Sequence, residues 1–321
     1  MSVLNDEILH ALASPARAPR AKVLMALSDA DSGSVRLLRA SWGEIPVERR
    51  RLIVHRLVEI AEDNFEADFH QVLRIFLKDA DPEVRATAVE GLWDEGSPAV
   101  MREVMALLKG DPSALVRRAA AEDLGMFAMD AAVGSLSEER WVSLRATLLA
   151  ALARPGEDPE VRGAALESVA VYGDEEIRQA IDLAYRSAEP VMKAKALAAM
   201  GNNLDPCWQP VVLRELKSSD PLMRYEAATT AGFMELGQAI PKLIELTRDA
   251  DAEVRLAAIT ALGQVGGQAA RQCLEGLMKS SDPAVSEQAS TALYEMAFTE
   301  NPLASLPIDV PLKPPERIKK P

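Results

Sequence analysis

DAEVRLAAITALG, residues 251–263, is the segment that decides the fold of this chain, because its opening recurs along the sequence. From position 162 onward the last residues of the copies follow one another every 31 residues, at 162, 193, 224, 255 and 286. Such a fixed interval predicts an array of structural repeats. The other copies of the opening are DPEVR at 81–85, DPSALVR at 111–117, DPEVR at 158–162, EPVMK at 189–193, DPLMR at 220–224 and DPAVS at 282–286.

Each copy predicts the start of an amphipathic helix. Aspartate is a favoured N-cap, and proline is tolerated next because its missing N–H would be unpaired anyway. An alanine stands three residues after the end of every copy and an apolar residue seven after, so one helix face is buried. Gly125, Gly201, Gly232 and Gly263, each eight residues after a copy, predict the helix ends. A second amphipathic stretch, as at 240–247, completes a two-helix unit.

One interval is longer than the others. Arg117 and Arg162 end consecutive copies but are 45 residues apart in the sequence. We place the extra residues around 129–139, as a longer loop or as an extended helix. Either arrangement interrupts the regular surface of the array.

The copies resemble HEAT repeats, specifically the short HEAT-like type also found in phycobilin lyase subunits. The resemblance rests on the D-P-x-V-R start, the following alanine and the Leu-Gly end, and it covers residues 81–298 well. The stretches 47–61 and 65–77 predict a further helix pair without the Asp-Pro start. The resemblance implies an all-α protein, a right-handed α-solenoid of about eight or nine helix pairs over residues 1–300. A proline-rich, extended tail is expected at 301–321.

The acid and the base in each copy predict a ladder of ion pairs along the array. A cation in the first turn of a helix is mildly opposed by the macrodipole, so its recurrence needs an acidic partner. The last copy keeps Asp282 but has Ser286 in place of the base, which fits a base that reaches the acid of the following repeat. Arg224 is thus expected to pair with Asp251, and Arg255 with the acid of the last copy. We assign a structural role to the ladder residues Asp81, Arg85, Asp111, Arg117, Asp158, Arg162, Glu189, Lys193, Asp220, Arg224, Asp251, Arg255 and Asp282.

The sequence contains no recognisable catalytic or cofactor-binding motif. P-loop, G-x-G-x-x-G, G-x-S-x-G and C-x-x-C patterns are absent. His10, His55 and His70 are not followed by glutamate, unlike the repeated His-Glu pairs of the HEAT-like deoxyhypusine hydroxylases, which are iron enzymes. We therefore expect a protein that is not an enzyme and that holds no cofactor and no metal.

One acidic cluster before His70 has the composition of a metal site. On a single continuous helix, Glu62, Glu66 and His70 would share one face, with Asp63 and Asp68 beside them. The alternative, which we favour, is a turn at 63–64 that separates two helices and leaves the acids solvated.

The two cysteines and the tryptophans carry further expectations. Cys207 and Cys273 are about two repeats apart, roughly 20 Å, which is too far for a disulfide. So few cysteines fit a reducing cytoplasm. Trp141 and Trp208 begin second helices and are the candidate partner-binding residues, although core packing is the favoured alternative for both. Trp93 follows the buried column, and we expect it to be buried at a repeat junction.

Composition and charge restrict the function. The chain has 36 basic and 49 acidic residues, a net charge of −13, of which the segment 301–321 carries +2. This field disfavours nucleic-acid binding, including a HEAT-like DNA glycosylase role. No 18-residue apolar run predicts a membrane span, and we see no signal peptide.

The sequence favours a non-catalytic, cytoplasmic scaffold or adaptor. It would bind a protein or peptide segment, with some contacts to basic segments, along a groove lined by the second helices. The alternative is a lyase-like or chaperone subunit that acts on a cofactor-bearing protein.

Overall fold

The computed structural model describes residues 6–14, 19–64 and 66–300, and within them every regular element is a helix. The prediction of an all-α fold is confirmed, whereas the extended tail expected at 301–321 lies outside the described residues. The chain divides into two compact units, residues 1–203 and 204–321.

The first unit is built from helix pairs that follow one another along the chain. Its helices are α1 (Asp6–Ala13), α2 (Ala21–Met25), α3 (Ser32–Ser41), α4 (Val47–Asp63), α5 (His70–Phe76), α6 (Pro82–Glu90), α7 (Pro98–Gly110), α8 (Ala114–Ala132), α9 (Glu138–Leu152), α10 (Pro159–Val169), α11 (Glu175–Tyr185) and α12 (Pro190–Asn203). We call α6, α8, α10 and α12, which begin at the copies, first helices. In this unit α6 packs on α8, α8 on α10 and α10 on α12, and the second helices α7, α9 and α11 pack beside them.

The second unit repeats the same arrangement. Its helices are α13 (Gln209–Glu215), α14 (Pro221–Phe233), α15 (Ile240–Leu246), α16 (Ala252–Val265), α17 (Gln268–Leu277) and α18 (Pro283–Glu300). The first helices α14, α16 and α18 stack in sequence order, and the second helices α13, α15 and α17 lie against them.

Aspartate caps start the first helices as the sequence predicts. The Asp81 carboxylate accepts hydrogen bonds from the backbone N–H groups of Glu83 and Val84, and Pro82 follows it at the first helical position. Asp251 caps α16 with the same two bonds. These bonds satisfy N–H groups that the helix itself leaves unpaired.

The predicted alanine column lies in the core. Its members are fully buried, and the small side chain allows the neighbouring first helix to approach closely. The column consists of Ala88, Ala120, Ala165, Ala196, Ala227, Ala258 and Ala289.

The regular spacing of the glycines reflects packing as well as helix ends. The prediction that they end the helices is wrong for Gly125, because α8 continues to Ala132, whereas α12, α14 and α16 end one or two residues after their glycines. A Cβ atom on Gly263 would lie 2.8 Å from the Ala292 Cβ and 3.0 Å from the Ala292 backbone oxygen. The glycine is therefore required by the contact between α16 and α18.

Replacing Gly263 by alanine is expected to destabilise the protein by about 1–3 kcal/mol, because the new methyl group meets backbone that cannot rotate away. Gly276 in α17 is the matched control, since nothing lies within 4 Å of a Cβ built there. Its replacement by alanine is expected to stabilise the protein by about 0.5 kcal/mol. Urea unfolding followed by circular dichroism measures both; equal effects of the two substitutions would refute the packing explanation.

The extra residues in the long sequence interval form a longer first helix. Helix α8 runs for 19 residues, and α9 starts at Glu138 after a short connection. The extra residues therefore lengthen the end of a first helix, which is one of the two arrangements that the sequence left open.

Candidate functional site: an acidic face and the Trp93 pocket

The ladder pairs a base with an acid of the following repeat. Arg85 contacts the Asp111 carboxylate through two N–H···O bonds of 2.8 Å, and both side chains are nearly buried. Arg162 lies 3.1 Å from Glu189 in the same direction along the array. These contacts tie neighbouring first helices together.

Two expected rungs of the ladder are wrong. Arg224 binds Asp249 at 2.8 Å rather than Asp251, whose carboxylate caps α16. Arg255 donates to the backbone carbonyls of Asp249 and Ala250 and forms no ion pair with Asp282 in the described part of the chain. The corresponding position before Asp282 is occupied by Ser280, which offers no charge.

The other ladder residues divide between pairing and capping. Arg117 binds Glu157 at 2.6 Å instead of Asp158, one residue later. Lys193 lies over the ring of Tyr185, 5.2 Å from its centre. Asp158, Asp220 and Asp282 accept backbone N–H groups at the starts of their helices.

A further ion pair, between Arg50 and Asp79, is formed by an arginine that has no Asp-Pro motif before it. Asp79, two residues before the N-cap of α6, binds Arg50 and also accepts a 2.6 Å hydrogen bond from the Trp42 indole. In the sequence, Asp79 can be recognised as an acid two residues before a capping aspartate. Asp249 stands in the same position before Asp251.

The tryptophans differ in exposure. Trp141 is 4% exposed and packs against Tyr172, and Trp208 is 7% exposed, as the favoured alternative of core packing predicts, so neither candidate presents a ring for a partner. Trp93 is 58% exposed, which corrects its predicted burial. Helix α6 ends at Glu90, so Trp93 falls beyond the helical register that would have turned it inward.

A row of glutamates crosses the first unit. Glu90, Glu122 and Glu167 each stand five residues after a ladder base, on the consecutive helices α6, α8 and α10. Equivalent positions on stacked helices face the same way. We call the surface that carries these three glutamates the acidic face. No motif in the sequence marks this face, although the three glutamates share one position of the repeat.

Two bases accompany the acidic face. Arg118 lies 3.1 Å from Glu122, and Lys195 lies 3.3 Å from Glu167. Burial raises the pKa of Glu167, and the nearby charge of Glu122 raises it further, while Lys195 opposes both. The two bases therefore offset part of the negative charge of the three glutamates.

A cavity of about 590 Å³ lies between the ends of α4 and α6 and the start of α5. We call it the Trp93 pocket. His70 lines it and is held by Asp94 at 2.8 Å and Asp68 at 3.0 Å. None of the described residues that line the cavity is a lysine or an arginine. They are Ala61, Glu62, Ala67, Phe69, His70, Leu73, Glu90, Gly91, Trp93 and Asp94.

The second unit presents a less charged surface at the same register. Thr229, Thr260 and Thr291 replace the glutamates, and a cavity of about 230 Å³ opens beside Tyr225 and Phe233. The cavity belongs to the first helices, in contrast to the groove expected along the second helices.

The metal site and the disulfide considered in the sequence analysis are not formed by the described residues. Helix α4 ends at Asp63 and α5 begins at His70, so the acids between them do not share a helix face. No group of metal-ligating side chains is found within 6–14, 19–64 and 66–300. Cys207 is exposed and Cys273 is half-buried, and the two are not bonded to each other. In the same residues, no helix is long and apolar enough to cross a bilayer.

Repeated helix pairs that contact their neighbours in the chain define the α-solenoid class of protein. The family model for HEAT repeats matches residues 71–142 and 240–306, so the chain carries HEAT repeats in both units. No curated protein matches the sequence.

Three solved structures are among those to which this chain is similar. Yeast importin-beta (Kap95p) is 15% identical with a TM-score of 0.52; the match covers 91% of this chain but only 46% of the importin-beta chain. YibA of E. coli is 15% identical, with a TM-score of 0.44 and coverages of 76% and 95%. Human deoxyhypusine hydroxylase is 18% identical, with a TM-score of 0.33 and coverages of 91% and 95%.

Proposed function

We propose that this protein is a non-catalytic scaffold that holds a protein or peptide segment on the exposed side of its first helices. The acidic face carries the proposal, since three glutamates recur on consecutive helices without contributing to the buried ladder that connects them. Glu90 and Glu122 are exposed, and Glu167 is half-buried beside them, so the row can be reached by a partner. The proposal places the protein in the cytoplasm, whose reducing conditions suit a chain with only two cysteines.

Charge favours a protein partner over a nucleic acid. The net charge is −13, and the acidic face adds a local negative field that repels phosphate. A partner that presents basic residues would be attracted to this face and would associate faster at low salt.

The experiment is affinity purification of the full chain from its native host, followed by quantitative mass spectrometry. The wild type is compared with Glu90→Arg/Glu122→Arg, which reverses two charges of the acidic face. The control is Glu139→Arg/Glu275→Arg, which reverses two exposed charges on the second helices α9 and α17. Both variants change the net charge equally.

The expected result is a protein that is enriched with the wild type and with the control, and reduced about tenfold with the variant of the acidic face. Equal recovery of the partner with both variants would show that the binding site is not the acidic face. If no protein is enriched with the wild type, the scaffold proposal is refuted. A recovered partner that carries a bound cofactor would favour the lyase-like or chaperone alternative.

A further inference from the structure

The Trp93 pocket has the chemistry of a site for one basic side chain. An exposed indole offers its negative ring face to a cation. Glu62, Glu90 and Asp94 place carboxylates along the same cavity, where Asp94 is held by His70, and no lysine or arginine lines it among the residues that the structure describes. Phe69 is buried in the wall of the cavity, which gives the methylene groups of a long side chain an apolar surface.

The acidic face continues from this pocket at a regular interval. Glu90 lines the pocket, and Glu122 and Glu167 follow on the next two first helices. Packed helices are separated by about 8–10 Å. A peptide in the extended polyproline II conformation advances about 3.1 Å per residue and completes a turn every three residues, so every third side chain faces the same way about 9 Å further along.

The bases already on the face do not block such a peptide. The Arg118–Glu122 pair is exposed on the surface, and exposed ion pairs of this kind hold their partners weakly. Lys195 shares its charge between Glu167 and the more distant Glu160, at 3.3 and 3.8 Å. An arriving cation can displace or share these contacts.

We infer that the partner segment is an extended basic peptide with lysine or arginine at about every third residue, whose first basic side chain enters the Trp93 pocket and stacks on the indole. The following basic side chains face Glu122 and Glu167. The inference rests on the proposed function, because it specifies what the acidic face binds.

Synthetic peptides test the inference directly. A fluorescein-labelled peptide with arginine at every third position, separated by serine and glycine, is titrated with the full chain, and binding is measured by fluorescence anisotropy. A second peptide has the same composition with its arginines contiguous. The spaced peptide is expected to bind about fivefold more tightly, because only its charges match the helix spacing.

Variants of the pocket separate ring stacking from general charge attraction. Trp93→Ala is expected to weaken binding of the spaced peptide about tenfold, and Trp93→Phe to weaken it less, since phenylalanine keeps a ring. Glu90→Gln/Glu122→Gln is expected to weaken it, while Glu139→Gln/Glu275→Gln leaves it unchanged. Circular dichroism checks that each variant is folded, which the exposure of Trp93 favours.

Equal affinity for the two peptides, or unchanged binding by a folded Trp93→Ala, would overturn the inference. So would a native partner whose bound segment contains no basic residues, although the proposed function would then stand. If no native partner is recovered while the spaced peptide binds as expected, the proposed function fails and the cation site remains.

Discussion

Replacing Arg85 by alanine is expected to destabilise the first unit by about 3–5 kcal/mol. The guanidinium makes two hydrogen bonds to Asp111, and side-chain exposures of 10% and 5% show that both partners are withdrawn from water. Removal of the base leaves a buried carboxylate without its counter-charge, which costs far more than loss of an exposed pair. Urea unfolding, followed by circular dichroism and by fluorescence of the buried Trp141, measures the change.

Arg255 provides the matched control for this substitution. It occupies the same position of its repeat, but it donates only to backbone carbonyls and leaves no acid unpaired when it is removed. Arg255→Ala is expected to cost about 1 kcal/mol. If the two substitutions cost the same, the ion pair with Asp111 contributes nothing beyond packing, and the ladder loses its structural role.

The second large effect is a loss of stability as the pH rises, caused by Asp123. This side chain is buried in α8, and neither carboxylate oxygen has a hydrogen-bond partner in the described residues. Burial raises its pKa from 3.8 to about 7. The folded state thus keeps a proton that the unfolded chain releases above pH 4. Stability should fall by about 2–3 kcal/mol between pH 5 and 8, with little change above.

Asp123→Ala tests this origin of the pH dependence. Ala199, Ala261 and Ala292 stand at the equivalent position of other repeats, so the fold accepts alanine there. The variant is expected to lose most of the fall in unfolding free energy between pH 5 and 8, and a smaller fall remains from Glu90 and Glu167, whose pKa values burial also raises. Parallel curves for the variant and the wild type would show that another group titrates. The comparison stays above pH 5, because ion pairing and hydrogen bonding lower the pKa of Asp249, whose contribution is lost only in more acid solution.

Much of the fold could be predicted because the same physical requirement is met in every repeat. An aspartate cap and a buried alanine are local features, each readable within one copy of the motif. The glycine positions were read only as helix ends, since the atoms that exclude a Cβ at Gly263 belong to Ala292, almost thirty residues away. Spacing alone does not distinguish a turn from a close contact.

The candidate site was less predictable for a different reason. Trp93 follows a buried column in the sequence, but its exposure depends on where α6 stops. Arg224 pairs with Asp249, two residues before the capping Asp251, and the repeated motif contains only the second of these acids. Glu90 and Glu122 could have been found by aligning the repeats at the fifth residue after the base, where α6, α8 and α10 have glutamate, α12 has Ala198 and the second unit has threonine.

The position of the glutamates has a consequence for how such proteins diversify. The residues that hold the repeats together lie at the start and in the interior of each first helix. The fifth residue after the base, by contrast, is exposed in α6 and α8, where it is Glu90 and Glu122. Natural selection can therefore exchange side chains in that column, one repeat at a time, almost without disturbing the framework. A duplicated copy of this gene would be able to acquire a new ligand preference by a few surface changes while its core stayed the same.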